Sequence, residues 1–244
     1  LAKAASGALE FIDFIEVTGN VKTQEYVIRR EIQTELDKPF NANTFREDLR
    51  RIYNLGYFTT LSEDFTYGDS VGTYRLRINV QEKPSNATVS FGGTYQAVSG
   101  LSFFSNFFWD NLFGHGQTLM LNGQFGNSTI YQFKYVNPWM WDDRKSLSVK
   151  LWRRRGNADS LSALTNNNYQ VGLLREDSDG GEIGFGIPLT YDLRTHHFFL
   201  TEDVSFEAPD ATNQSYTKQS YRFLLTLDER DNFINPTKGR RYLL

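Results

Sequence analysis

Residues Thr73 to Tyr95, TYRLRINVQEKPSNATVSFGGTY, hold two period-two alternations separated by a proline, and this joint constrains what the chain can fold into. Before the joint, Leu76, Ile78 and Val80 alternate with Arg75, Arg77 and Asn79, the pattern of a half-buried strand. Glu82, Lys83 and Pro84 end it, because proline cannot donate to a ladder and disfavours helix in the residue before it. A second alternation follows within a few residues. Val89, Phe91, Gly93 and Tyr95 oppose Ser90, Gly92, Thr94 and Gln96. Upstream of the joint helix and strand signals mix, and downstream only strand signals occur. The stretch reads as a boundary, hinged at Pro84 and Ser85, between a small soluble domain and the start of a membrane barrel.

Composition supports that division. Aromatic residues make up 15% of the chain, with 20 Phe and 13 Tyr, although the mean hydropathy is only -0.49. A transmembrane barrel reconciles the two, since one face of each strand meets lipid and aromatic girdles mark both interfaces. No apolar run is long enough for a spanning helix, which excludes a helical membrane protein. A net charge of -3 gives no electrostatic reason to expect nucleic acid. Cysteine is absent, which removes disulfides, thiolate zinc sites and cysteine nucleophiles. The opening LAKAASGALE has one lysine and no apolar core, so residues 1–9 read as a linker or tail rather than a signal peptide. The expectation is a mature fragment of a longer protein.

Residues 10–84 read as one domain. Phe11 to Val17 is a strand candidate closed by Thr18-Gly19-Asn20. Thr23 to Leu36 is predicted as a helix capped by Thr23, with Pro39 beyond it. Asn43 and Thr44 are candidate caps of a second helix carrying Phe45, Leu49, Ile52 and Tyr53, with Gly56 as its left-handed stop. Strands over Thr60–Tyr67 and Thr73–Gln81 follow, joined by Gly-Asp-Ser-Val-Gly. Val17-Thr18-Gly19-Asn20, the run Arg51 to Phe58 and Val80-Gln81-Glu82-Lys83-Pro84 together resemble a POTRA domain of order β-α-α-β-β. Gly19, Leu55, Gly56 and Phe58 read first as residues that hold this small fold together. The resemblance implies function on the exposed edge strand, at Leu61, Ser62, Glu63, Asp64 and Phe65, where an extended peptide can add backbone hydrogen bonds. Glu63 and Asp64 are equally how an edge protects itself from pairing.

Residues 85–244 carry strand candidates at 87–96, 101–109, 118–125, 130–136, 146–154, 182–189, 195–207 and 216–228, with a further start at 240–244. Turns fall at Asn111-Leu112-Phe113-Gly114, Asn137-Pro138, Asp142-Asp143 and Asn235 to Gly239. The strands are close to the ~9–11 residues that cross an outer membrane when tilted. The segment Val89 to Tyr95, the turn Asp110 to Gly116, Tyr135-Val136-Asn137-Pro138-Trp139, and Leu227 to Asp231 with Pro236-Thr237-Lys238-Gly239 resemble the barrel of BamA-type outer-membrane assembly factors. The resemblance implies an all-β antiparallel transmembrane barrel of which about eight of sixteen strands are present. The later half, with the family's Val-Arg-Gly-Phe loop, is not in this sequence. The expectation is an incomplete view of a longer protein rather than a small closed barrel.

Chemistry-bearing groups are few. His115 lies in a predicted turn, and His196 and His197 face opposite ways in a strand, so neither reads as a metal site. Asp177 to Glu182 lacks the spacing of a calcium loop and reads as a polar hairpin turn. Arg153, Arg154 and Arg155 either meet lipopolysaccharide phosphates, line the lumen or form a solvated strand end. No nucleophile, zinc or phosphate-loop motif is present, so no enzyme activity and no cofactor or metal is expected. The resemblance implies an insertase whose first barrel strand, with Thr88, Val89, Ser90, Phe91, Gly92, Gly93 and Thr94, forms a lateral gate that templates client strands. Gly92 and Gly93 either weaken the seam or merely relieve crowding. Implied partners are unfolded outer-membrane proteins, accessory lipoproteins of an assembly complex and the bilayer, with the POTRA domain in the periplasm. The alternatives are a two-partner-secretion or translocation-type transporter and, in another class, an export or display barrel fused to a hydrolase. The soluble domain ahead of the barrel disfavours a plain porin.

Overall fold

The computed structural model describes residues 11–36, 38–96, 100–126, 128–140, 143–157, 175–207, 213–231, 233 and 236–244. The tail over residues 1–9 and the turn residues Asp142 and Asn235 lie outside them. The chain divides into two compact units. The first holds Leu1–Asn86 together with the turns Asn111–Gly116 and Glu229–Arg240; the second holds the intervening strands.

In the first unit, β1 (Phe11–Thr18), α1 (Glu25–Arg29), α2 (Ala42–Asn54), β2 (Phe58–Tyr67) and β3 (Thr73–Glu82) follow in the expected order. The sheet runs β1-β3-β2, with β1 parallel and β2 antiparallel to β3. The parallel pair requires a crossover, and the two helices supply it. Ile12, Ile15 and Val17 of β1 meet Leu76, Ile78 and Val80 of β3 under Val27, Ile28, Phe45 and Ile52 of the helices. Gly56, at φ +79°, ends α2, and Tyr57 and Phe58 enter the core behind it.

Three local expectations are corrected. The helix expected over Thr23–Leu36 spans only Glu25–Arg29. The Asp48 carboxylate of α2 accepts the Gln33 and Thr34 amides at 2.8 and 2.9 Å, so these donors turn to a side chain instead of continuing the helix. Thr23 does not cap α1; the cap is Gln24, without a side-chain bond, and Thr23 is buried. Asn41 caps α2 in place of Asn43 or Thr44, its Oδ1 accepting their two amides at 2.9 and 3.3 Å.

Among the described residues the second unit is one antiparallel sheet of nine strands: β4 (Ala87–Gln96), β5 (Gly100–Trp109), β6 (Thr118–Gly126), β7 (Ser128–Asn137), β8 (Ser146–Asn157), β9 (Arg175–Pro188), β10 (Leu193–Glu207), β11 (Gln214–Asp228) and β12 (Arg241–Leu243). Each pairs with its sequence neighbours, and β4 and β12 are the edges. The register carries one parity across the whole sheet. Phe107, Leu121, Phe133 and Leu151 stand in one row, and Val149, Ile183, Phe199 and Tyr221 in another. The opposite face pairs Asn106 with Asn122 and Gln132, and Lys134 with Lys150 and Glu182. A slip of one residue would put the polar set on the apolar side, so the alternation fixes the register.

One hairpin expectation fails here. Asp177 to Glu182 is not a turn but lies inside β9. Arg153 on β8 opposes Asp179 and binds it through two bonds at 2.6 and 3.1 Å. Gly180 gives room to the Trp152 indole, since a Cβ there would lie 2.3 Å from its ring. Trp152 Nε1 then donates to Glu202 at 3.1 Å. Cross-strand partners thus hold extended a run whose composition favours a turn.

Candidate functional site, two strand edges and the joint

The joint is built by two sequence runs that lie far apart in the chain. Glu82 at the end of β3 accepts the backbone amides of Thr23 and Lys22 at 2.6 and 2.8 Å. Lys22 Nζ reaches the carbonyl oxygens of Pro84 at 2.5 Å and Lys83 at 3.4 Å, and the Lys83 amide donates to Tyr57 at 2.9 Å. Gly19, at φ +87°, brings the first run close, for a Cβ there would lie 2.0 Å from the Val80 oxygen. The backbone is therefore pinned as far as Pro84, immediately before β4 begins. Lys22 and Glu82 carry this arrangement; the sequence pattern pointed to Glu82 only as part of the run that ends the strand, and to Lys22 not at all.

The turns of the first unit add a second arrangement that the sequence did not reveal. Asn111 takes a left-handed conformation at φ 53° and is buried. Its amide donates to Thr23 Oγ1 at 2.8 Å, and its Oδ1 accepts the Gly116 amide at 2.8 Å. The Gln24 amide donates to the Gly114 oxygen at 2.9 Å, and Tyr26 meets His115 Nδ1 at 2.9 Å. Gly114 is required by this approach: a Cβ would lie 2.0 Å from the Lys22 oxygen. The buried Thr23 thus spends its hydroxyl on Asn111, which explains why it caps nothing. In the other turn, Asp231 accepts the amides of Thr237 and Lys238 at 3.0 Å each, joining the two halves of that sequence motif. Replacing Asn111 with alanine removes two buried bonds, at a cost of about 1–3 kcal/mol. Amide exchange at Gln24 should then rise roughly ten- to a hundredfold, which mass-resolved hydrogen exchange measures.

At the edge of the first unit, β2 presents Leu61, Glu63 and Phe65 on the helix side of the sheet, opposite Val80, Ile78 and Leu76. Ser62 and Asp64 take the other side. The Phe65 ring meets Phe40 and Phe45 edge-on at 5.7 Å, so an aromatic wall stands beside the edge strand.

The other edge is β4. Thr88 to Thr94 pair with Phe108 to Ser102 of β5, and among the described residues β4 has no second ladder partner. Val89, Phe91, Gly93 and Tyr95 share the apolar parity, with Phe91 82% and Tyr95 75% exposed. Thr88, Ser90, Gly92 and Thr94 face the other way. The two glycines differ in kind. A Cβ on Gly92 would lie 2.6 Å from the Phe104 ring, so this glycine seats an aromatic from β5. At Gly93 the nearest atom, on Phe103, is 3.4 Å away, an ordinary contact.

The Omp85 superfamily domain matches residues 111–244, more than half of the chain. The chain belongs to the Omp85 superfamily. Residues 11–83 match POTRA, described as a surface antigen variable number repeat. Among curated relatives, the outer membrane protein assembly factor BamA of Neorickettsia risticii is 26% identical over 236 residues, covering 92% of this chain and 30% of the relative. BamA of Neisseria meningitidis is 24% identical over 208 residues, covering 84% and 25%. Among solved structures, BamA from Haemophilus ducreyi lacking POTRA domains 1-3 superposes with a TM-score of 0.67 at 16% identity, over 95% of this chain and 47% of that one. CdiB from Acinetobacter baumannii gives 0.59 at 9% identity, over 91% and 43%. This Omp85 chain therefore spans less than half the length of these proteins. Its nine-stranded sheet is an unclosed part of an outer-membrane barrel, with the POTRA domain on the periplasmic side.

Proposed function

We propose that this Omp85 chain takes part in folding and inserting outer-membrane β-barrel proteins, with β4 as the strand on which client strands are templated. The observation that carries this reading is β4 itself. Among the described residues it is a ten-residue strand hydrogen-bonded on one side only, entered from a joint pinned at Glu82, Lys22 and Pro84. An edge strand offers a row of backbone donors and acceptors that another chain can complete, with little demand on side-chain identity. Gly93 adds no side chain to the lipid-facing row of β4, where a Cβ would make only ordinary contact with Phe103 of β5. The β2 edge at Leu61 to Phe65, beside Phe40 and Phe45, is the matching place for an extended client in the periplasm. The assembly-factor names of the curated relatives support this reading. Accessory lipoproteins of an assembly complex belong to the same proposal.

The test is a disulfide. With Ser90→Cys in the full-length protein, a cysteine in the terminal strand of an assembly-arrested client is expected to crosslink in register. No crosslink from a folded, heat-modifiable protein would remove the templating role. The fold shared with CdiB favours a second reading, a two-partner-secretion transporter. A plug helix ahead of the POTRA domains in the full-length sequence would decide for the transporter, and a longer POTRA series without one for the insertase.

A further inference from the structure

The lipid-facing parity of the sheet changes character at one end of strands β8 to β11. Along most of their length this face is apolar: Val149, Ile183, Phe199 and Tyr221 form one row. The next row is Leu151, Gly181, Thr201 and Gln219, and Gly181 leaves a depression in it. A groove of about 650 Å³ runs over these two rows. The following rows are charged. Arg153, Asp179, Asp203 and Thr217 stand side by side, then Arg155, Asp177, Ser205 and Ser215. A second groove of about 440 Å³ is lined there by Arg155, Asp177, Asp179, Asp203 and Thr217. Polar and apolar grooves thus succeed one another along the same strands on the same face.

We infer that this is a site for one lipopolysaccharide molecule, with an acyl chain over Gly181 and the phosphorylated headgroup at Arg155 and Asp203. The leaflet follows from topology. β4 begins at the periplasmic joint, so the antiparallel order puts the ends of β8 at Asn157 and of β10 at Glu207 on the opposite, outer side. The charges select the headgroup. Arg153 is spent on Asp179 through two short bonds, but Arg155 stands 3.9 Å from its partner Asp177, with half of its side chain exposed. Its fork of N–H donors suits a phosphate. Asp203 accepts Thr217 Oγ1 at 2.6 Å through Oδ1, and its carboxylate lines the charged groove beside Arg155. Because Arg153, Arg155 and Arg175 are outnumbered on this face by Asp177, Asp179, Asp203 and Glu207, these charged rows are no simple anion trap. They match phosphates that arrive with their own divalent cations, which hard carboxylate oxygens bind.

The experiment is native mass spectrometry of the full-length protein in dodecyl maltoside with magnesium, titrated with hexa-acyl lipid A, phosphatidylethanolamine and phosphatidylglycerol. The wild type should retain one lipid A in preference to both phospholipids. Arg155→Gln with Asp203→Asn should weaken lipid A by about tenfold, the loss of one charged hydrogen-bonded contact, and leave the phospholipids unchanged. Gly181→Leu fills the depression and should weaken all three. Chelating magnesium should weaken lipid A in the wild type alone. Equal retention of the three lipids by the wild type overturns the proposal without any variant, as does phosphatidylethanolamine bound best. Unchanged lipid A retention in a heat-modifiable, folded Gly181→Leu protein removes the acyl groove.

Discussion

Replacing Asp48 with alanine should destabilise the POTRA domain by about 3–5 kcal/mol, the cost of stranding a buried charge whose partner is removed. Asp48 is fully buried and gathers four donors: the Gln33 and Thr34 amides, the Thr34 hydroxyl and the Arg51 guanidinium. Two of these are backbone amides of a part-buried segment, and each donor left unsatisfied away from water costs about 1–3 kcal/mol. Arg51 retains its bond to the Glu31 oxygen at 2.9 Å, so its loss is partial. Asp48→Asn keeps one acceptor but aims an amide at Arg51, and its cost should fall between wild type and alanine. Hydrogen exchange over residues 31–54 measures both variants in the intact protein. Protection in β8 to β11 should stay unchanged, since those strands belong to the other unit.

Asp48 also marks the limit of what the sequence made legible. Apolar residues at helical spacing run from Tyr26 to Leu36, and no local signal says that a carboxylate on the next helix will draw Gln33 and Thr34 away. The barrel strands were far easier. Period two depends only on neighbours along one strand, and adjacent strands with a buried or lipid-covered face must agree in parity. That is why the first eight strands and the start of the ninth could be placed. The exception, Asp177 to Glu182, shows where local chemistry misleads. Its aspartates and glycines are turn formers in isolation, yet Arg155, Arg153, Trp152 and Leu151 on β8 oppose Asp177, Asp179, Gly180 and Gly181 in the ladder. The candidate site was half legible in the same way. The two edge strands follow from element order, whereas the clamp of Lys22 on Pro84 and the Asn111–Thr23 bond join residues some 60 and 88 positions apart. No periodicity reports contacts of that range.

Gly19→Ala is the sharpest test of the joint. Alanine at φ +87° is strained by about 1–2 kcal/mol, and its Cβ would sit 2.0 Å from a backbone oxygen that cannot rotate away. Overpacking of that kind adds about 1–3 kcal/mol, for a total of about 2–5 kcal/mol. A second substitution separates the two causes. Asparagine tolerates left-handed backbone better than alanine, but its Cβ meets the same Val80 oxygen. If steric approach dominates, as the distance requires, Gly19→Asn should be nearly as damaging as Gly19→Ala. The damage should also be local. β1 pairs with β3 from Phe11 to Thr18, and Gly19 follows the last pair, so the sheet should open from that end. Lys22 and Thr23, whose amides depend on Glu82, should lose protection first, while Ile12 and Ile15 keep theirs under the helices. Asparagine restoring near wild-type exchange at Lys22 and Thr23 would show that conformational freedom, rather than contact with Val80, is what the glycine supplies.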